Sequence, residues 1–245
     1  MNPLLDRVRR ALAPEFTVER ELASGGMGVV YLGVDVRLAR PVAIKVVRPG
    51  VGSAVASERF LREARALAAL AHPNIAPIHR AGEADGLAYY VMDYVAAPTL
   101  ADRLRERPLP RAEVLTVADG LLAALEAVHA HGMVHRDVKP SNVFVGEGGR
   151  AILADFGIAK STRSGHEDLT ASGHPIGTPG YMSPEQMKGG EVGPRSDQYA
   201  AAMVLFEAFT GRRWSFDDTG PAAWTGVPRA VAPGLRRALA WRACT

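Results

Sequence analysis

The chain has 245 residues, 47% of them hydrophobic and 22% charged, which is the composition of a soluble globular protein with a sizeable core. Its formal net charge of +3 is spread along the chain without a basic run, so charge gives no footing for nucleic acid as a partner. The one cysteine, Cys244, excludes an internal disulfide framework and a metal site built on cysteines.

The opening "MNPLLDRVRRALAPEF" lacks an apolar core of signal-peptide length. The most apolar stretch, Tyr199 to Phe209, is too short to cross a bilayer and contains Glu207. The expectation is a cytoplasmic protein with no transmembrane segment. Leu4, Leu5, Val8 and Leu12 recur at helical spacing until Pro14, predicting an amphipathic helix within residues 1–15. Its basic face leaves two readings open: packing on the following domain, or lying on a membrane surface.

From Phe16 to Val47 the pattern is that of strands. "FTVEREL", "GVVYLGVDV" and "PVAIKVV" carry β-branched and aromatic residues around a glycine cluster. "SERFLREARALAAL" then reads as a helix, with Ser57 as N-cap and Phe60, Leu61, Ala64, Leu67 and Ala68 on one face. "NIAPIHRAGE" and "LAYYVMDYV" read as further strands. Residues 16–95 thus predict a small antiparallel β lobe with one long helix.

Beyond Pro98 the character becomes helical, and residues 96–245 read as a second, larger lobe hinged near Met92 to Pro98. "EVLTVADGLLAALEAVHAHG" is a helix with Leu121, Leu122, Leu125 and Val128 inward, ended by Gly132. Short strand signals follow at "NVFV" and "AILAD". Residues 161–180 form a long loop rich in Ser, Thr, Gly, His and Pro, and such loops are usually functional. "SDQYAAAMVLFEAFTG" is apolar nearly all round, hence buried, with Ser196 as cap and Gly211 as stop. "GLRRALAWRA" is a last helix. The fold class is α+β.

Gly25, Gly26 and Gly28 sit in a turn between two predicted strands, where backbone N–H groups can approach a polyphosphate closely. A strand follows them, so a dinucleotide-binding fingerprint is excluded, and no Gly-Lys-Ser/Thr follows, so a Walker A loop is excluded too. A tight hairpin would also use glycine there. Lys45 lies one hairpin later. Only 4 of the 29 basic residues are lysines, and a lysine is a compact charge where arginine brings a broad fork. Glu63, on the face carrying Phe60 and Leu67, requires a cation if it points inward, and Lys45 is the candidate.

"VHRDVKPSNVF" supplies a second group. Asp137 could orient and deprotonate an attacking hydroxyl, Lys139 could steady a transferring phosphoryl group, and Asn142 could hold a metal ion. Asp155 in "LADFGIAK" adds another oxygen ligand. Phosphoryl transfer needs this combination of cations, magnesium ligands and one base.

Taken together, "ASGGMGVV", "VAIK", "HRDVKPSN", "DFG" and "SPE" resemble the eukaryotic-like protein kinases in order and spacing, and "GTPGYMSPEQ" is most similar to the bacterial serine/threonine branch. The resemblance runs from about Phe16 to Thr210. It implies a bilobal fold that binds ATP with Mg²⁺, or Mn²⁺ in its place, and phosphorylates protein substrates. It implies that Gly25 and Gly28 cover the phosphates, with Ala23 where a first loop glycine is usual. Val30 and Ala43 would lie above the adenine, and Phe144 would join the nucleotide-binding set. Lys45 would bind the α- and β-phosphates and pair with Glu63. Met92 would be the gatekeeper, and the backbone of Asp93 and Val95 would meet the adenine edge. Asp137 would be the catalytic base with Lys139 at the γ-phosphate, and Asn142 and Asp155 would hold the metal. His135, Phe156 and Leu67 would stack as a spine, and Asp197 would anchor the catalytic loop. Arg136 would pair with a phosphate on the loop, with Thr170 and Ser172 as the modified positions, and Thr178 would mark serine/threonine acceptors. Autophosphorylation is expected there.

Departures from the pattern are Ala23, Ser183 before Pro184, and a short stretch after Gly211, where truncation of the family's final helices is expected. Glu185 thereby loses its usual arginine partner, with Arg242 as a substitute. Apolar surface is expected there, covered in part by Trp214, Trp224 and Trp241 or by a homodimer or partner. A non-catalytic, pseudokinase-like binding module on the same fold is the competing reading.

Overall fold

Five short runs rich in β-branched and aromatic residues, set between turns, build a sheet in the first part of the molecule. The structure, a computed structural model, describes residues 2–26, 28–49, 54–158, 179–218 and 220–240. The chain divides into two units. One comprises the described residues up to Ala71 together with Ala76–Ala96 and residues 157–158, and the other comprises His72–Ile75, Ala97–Phe156 and the described residues from 179 onward.

In the first unit, helix α1 (Pro3–Leu12) begins with Asn2, whose side chain accepts from the Leu4 and Leu5 N–H groups, and with Pro3 in its first turn, a favourable helix start. The strands are β1 (Phe16–Ser24), β2 (Gly28–Asp35), β3 (Arg40–Val47), β4 (Ile78–Ala84) and β5 (Leu87–Asp93). They form one sheet in the order β1-β2-β3-β5-β4, antiparallel throughout.

Opposite residues of antiparallel strands share a face, so the register sorts the sheet in two. One face carries Val29, Tyr31, Val42, Ile44, Val46, Tyr89 and Val91, buried with Val8 and Leu12 of α1. The basic side chains of α1 are bound to the same unit: Arg7 to Asp85, and Arg9 to the carbonyls of Val18 and Glu19. The first helix therefore packs on its own domain, the blander of its two readings.

Helix α2 (Ala54–Ala68) packs on the other face, where Phe60 stacks on Tyr90 at 5.5 Å between ring centroids. It is already under way three residues before Ser57, so Ser57 lies inside the helix and is not its cap; Ala54 and Ala56 are good helix formers, and Ala56 is buried. Phe60, Leu61, Ala64 and Leu67 are buried as the spacing predicts, whereas Ala68 is exposed. The strand expected from Asn74 starts only at Ile78, after Pro77, which has no N–H to give a ladder.

In the second unit the helices are α3 (Leu100–Glu106), α4 (Arg111–Ala130), α5 (Pro184–Met187), α6 (Pro194–Thr210) and α7 (Ala232–Leu239), and the hairpin is β6 (Val143–Val145) with β7 (Ala151–Leu153). The core of this unit lies between α4, β7 and α6. Val114, Val117, Leu121, Leu125 and Val128 of α4 are buried, while Leu122 is 49% exposed; it falls off the apolar stripe of the other five, contrary to expectation.

Helix α6 starts at Pro194 after the cap residue Gly193. Ser196 is thus in the first turn and not the cap. Pro194 has its φ already set for a first helical position, and Ser196 Oγ reaches back to accept from the Gly193 N–H at 3.3 Å. Gly211 ends the helix in a left-handed conformation, φ 72°.

After it, Trp214 meets Tyr199 edge-on at 5.9 Å, and Trp224 meets Phe206 at 5.1 Å. These two tryptophans do cover α6, while Phe216 and Met187 remain exposed; Trp241 and Arg242 lie outside the described residues. Among the described residues no helix is long and apolar enough to cross a membrane.

Candidate functional site

In the first unit the candidate residues gather on the sheet face that carries α2. Val30 pairs with Lys45, and Lys45 pairs with Tyr90. Ala43, two residues from Lys45, pairs with Leu32 and with Met92. Val30, Ala43, Lys45 and Met92 are therefore neighbours on one face, as period-two alternation requires. The Lys45 ammonium lies 6.0 Å from the centre of the Tyr90 ring, the ring on which Phe60 stacks. Glu63 follows Phe60 by about one helical turn and so shares its side of α2. Lys45 and Glu63 are both half-buried.

The glycine turn is built for different reasons at its two ends. A Cβ on Gly28 would stand 2.6 Å from the Val46 carbonyl oxygen, whereas the nearest atom to one on Gly25 would be 3.9 Å away. Gly28 is thus required by sheet packing, and Gly25 is not crowded by the described residues. The Gly25 N–H donates to the Gly28 carbonyl at 2.9 Å. Arg48, just past β3, donates to the Gly25 carbonyl and to Ser24 Oγ. Ala23 sits opposite Val30 at a register shift of β1.

At the end of β5 the Asp93 N–H is committed to the Pro77 carbonyl at 3.1 Å, and Asp93 pairs with Val42 of β3. Its carboxylate meets His79 Nε2 at 2.6 Å and an Arg40 nitrogen at 3.5 Å. Val95 follows, half-buried.

The second unit collects Asp137, Lys139, Asn142 and Asp155. The Lys139 ammonium is 2.9 Å from Asp137 Oδ2. Asn142 Nδ2 donates to the Asp137 carbonyl at 2.8 Å, lies 3.1 Å from Asp137 Oδ2, and reaches the Asp155 carbonyl at 3.4 Å. Asn142 is placed by a 3-10 turn, Pro140–Asn142, and its own carbonyl accepts from the Ala154 N–H at 2.9 Å. That bond brings the stretch ending in Asp155 beside the loop of Asp137. Asp155 and Arg136 hold positive φ values of 59° and 66°, a region non-glycine residues rarely adopt and one that clusters at functional sites. Phe144 on β6 pairs with Ile152 and bridges to Thr99.

Behind this group stands Asp197, 1% exposed on α6. Its carboxylate accepts from the N–H groups of His135 and Arg136, each at 2.8 Å, and from His129 Nε2 at 2.8 Å. His135 is fully buried and packs against Phe156 at 4.4 Å between ring centroids, with the rings tilted by 42°. Its Nδ1 accepts from the Asp137 N–H at 3.3 Å, and its Nε2–H donates to the Ala154 carbonyl at 3.3 Å. Burial pushes its pKa down, against the pull of Asp197, Asp137 and Asp155, so the imidazole sits neutral with one nitrogen donating and the other accepting. Leu67, the third expected stacking residue, is buried within the first unit.

Glu185, whose partner the sequence leaves uncertain, accepts from Ser196 Oγ. Gln186 donates to the Arg136 carbonyl at 2.9 Å. Arg48, His129 and Gln186 escape a reading of the sequence, as does the bond from Ser196 to Glu185. Each acts on a residue far along the chain, and no local pattern marks them. Thr170, Ser172 and Thr178 lie outside the described residues.

Residues 16–225 match the family described as the protein kinase domain. The chain is 40% identical over 223 residues to the serine/threonine-protein kinase pkn2 of Myxococcus xanthus, covering 89% of this chain and 27% of that protein. It is 41% identical over 226 residues to the serine/threonine-protein kinase PknF of Mycobacterium tuberculosis, covering 89% of this chain and 47% of that one. The chain thus spans about a quarter to a half of the length of these relatives. The crystal structure of the Mycobacterium tuberculosis PknI kinase domain is similar with a TM-score of 0.71 and 32% identity, over 93% of this chain and 88% of that one.

Proposed function

Because this chain belongs to the protein kinase domain family, we propose that it transfers the γ-phosphate of ATP to serine and threonine hydroxyls of protein substrates. The observation that carries the reading is the setting of Asp137: a carboxylate with an ammonium at 2.9 Å and a carboxamide at 3.1 Å, on a loop whose backbone is held from behind by a buried aspartate.

In the first unit, Gly25 and Gly28 approach the phosphates, Lys45 offsets their charge and Glu63 holds Lys45. Val30, Ala43 and Met92 offer an apolar surface to the adenine, whose edge donates to the Asp93 carbonyl and accepts from the Val95 N–H; Ala23 belongs to the same set, to which Phe144 of the second unit is also assigned. Asp137 accepts the proton of the acceptor hydroxyl as its oxygen bonds to the γ-phosphorus. The bond from that phosphorus to the β–γ bridging oxygen breaks, and ADP leaves. Lys139, already beside Asp137, shares its charge between that carboxylate and the transferring group. The neutral His135 keeps the loop geometry without adding a second cation.

Asn142 and Asp155 offer a carboxamide and a carboxylate, hard oxygen donors of the kind Mg²⁺ takes when phosphate oxygens and waters fill its remaining positions. The Asn142 side chain and the Asp155 backbone already adjoin, which fits such an ion, or Mn²⁺. When bound it would neutralise charge on the phosphates.

Regulation by autophosphorylation at Thr170 or Ser172 belongs to the same proposal, with Arg136 as the cation that receives the phosphate and Thr178 on the acceptor side. A cytoplasmic setting is proposed on the ground that the reaction consumes ATP. Incubation of the chain with Mg-ATP and a generic basic protein tests the proposal: labelled phosphate should enter serine and threonine, and the Asp137→Asn chain should transfer almost none. No transfer by the wild-type chain would overturn it.

A further inference from the structure

Resting on the kinase reading above, the geometry points to Gln186 as a positioning residue for the catalytic base. The peptide unit that leads into Asp137, made of the Arg136 carbonyl and the Asp137 N–H, is held at both ends. The Asp137 N–H donates to His135 Nδ1 at 3.3 Å, and the Arg136 carbonyl accepts from Gln186 Nε2 at 2.9 Å. Arg136 itself has a φ of 66°, in a region that costs a non-glycine residue free energy and persists only where surroundings over-determine it. Asp197 fixes the amide before that strained residue. Gln186 fixes the carbonyl after it, the group whose rotation would swing the Asp137 carboxylate.

The side chain of Gln186 is specified at its other end as well. Its Oε1 accepts from the Ser183 N–H at 3.0 Å and from Ser183 Oγ at 3.2 Å, and Ser183 Oγ caps α5 in return. A carboxamide can accept at one end and donate at the other in this way, whereas a carboxylate of the same length only accepts. Helix α5 is itself tied down. Glu185, the neighbouring residue, accepts from Ser196 of α6 with its side chain and from the Gly190 N–H with its carbonyl at 2.8 Å. The segment thus binds α6 through Glu185 and the loop of the base through Gln186.

The experiment compares kcat and both KM values of the intact wild-type chain with Gln186→Glu, Gln186→Met and Ser183→Ala, with melting curves of each. Gln186→Glu keeps the acceptor for Ser183 and loses the donor to Arg136. Its kcat should fall about ten- to a hundredfold, the order that misplacement of a reacting group by an ångström costs, with the KM for ATP and for acceptor protein little changed. Gln186→Met, uncharged and of similar length, should behave the same and serves if the glutamate variant does not fold. Ser183→Ala loses the cap and the Oγ bond but keeps the Ser183 N–H that holds Gln186 Oε1 and leaves the donor to Arg136, so it should keep kcat even where melting falls. Wild-type kcat in the folded Gln186 variants, or a kcat loss in Ser183→Ala as large as theirs, would overturn the positioning role while leaving the kinase reading intact. A wild-type chain without transfer activity would overturn both.

Discussion

Arg48 clamps the glycine turn: its Nε donates to the Gly25 carbonyl at 3.0 Å and an Nη nitrogen donates to Ser24 Oγ. Across the same turn the Gly25 N–H donates to the Gly28 carbonyl. An arginine fork suits this pair of acceptors, since it presents several donors in a fixed plane. Arg48→Ala should raise the KM for ATP about three- to tenfold, the worth of roughly 1 kcal/mol of hydrogen bonding, with kcat little changed. Arg48→Lys should recover part of the loss. Steady-state kinetics over a range of ATP concentrations checks this.

The two glycines of the turn should separate in stability. Alanine at Gly28 would put its methyl 2.6 Å from a backbone oxygen of β3, while at Gly25 it would meet nothing closer than 3.9 Å. Gly28→Ala is expected to cost about 1–3 kcal/mol, the usual range for forcing an extra methyl into a packed place. Gly25→Ala should stay within about 0.5 kcal/mol of wild type. Denaturant midpoints of the two variants give the comparison.

Periodicity in the sequence reaches the strand that carries Lys45 and the helix that carries Glu63, while the loop from His135 to Asn142 is reached through the residue types of its motif and the family resemblance they carry. The order of the sheet is not legible in the same way, since β5 lies between β3 and β4 through a pairing that skips α2. Helix starts mislead where a capping residue lies inside a longer helix, as Ser57 and Ser196 do. Gly193 and Pro194 carry the start signal that Ser196 only echoes. The supporting shell is least legible: His129 and Asp197 are 68 residues apart, and Gln186 and Arg136 are 50 apart. Their pairing follows from how α4, α5 and α6 meet the loop, which no short pattern encodes.

His135 gives the protein a component of acid sensitivity. Burial lowers its folded pKa, whereas in the unfolded chain it titrates near the ordinary value of about 6.5. As pH falls below that value the unfolded chain takes up a proton that the folded one refuses, so stability is present above it and is lost on acidification. His135→Phe removes this component while keeping an aromatic ring against Phe156. Its melting temperature should fall less than that of wild type between pH 7 and pH 5. An equal fall in both would exclude His135 as a source of the acid sensitivity.

The central claim is that one set of residues binds ATP and a separate carboxylate, Asp137, carries the chemistry. The most direct test measures nucleotide affinity and single-turnover phosphoryl transfer side by side in wild type, Lys45→Met and Asp137→Asn. The account predicts that Asp137→Asn binds Mg-ATP with affinity close to wild type and transfers phosphate at least about 100-fold more slowly, while Lys45→Met fails at both. Transfer by Asp137→Asn at the wild-type rate, with nucleotide bound equally well, would contradict it.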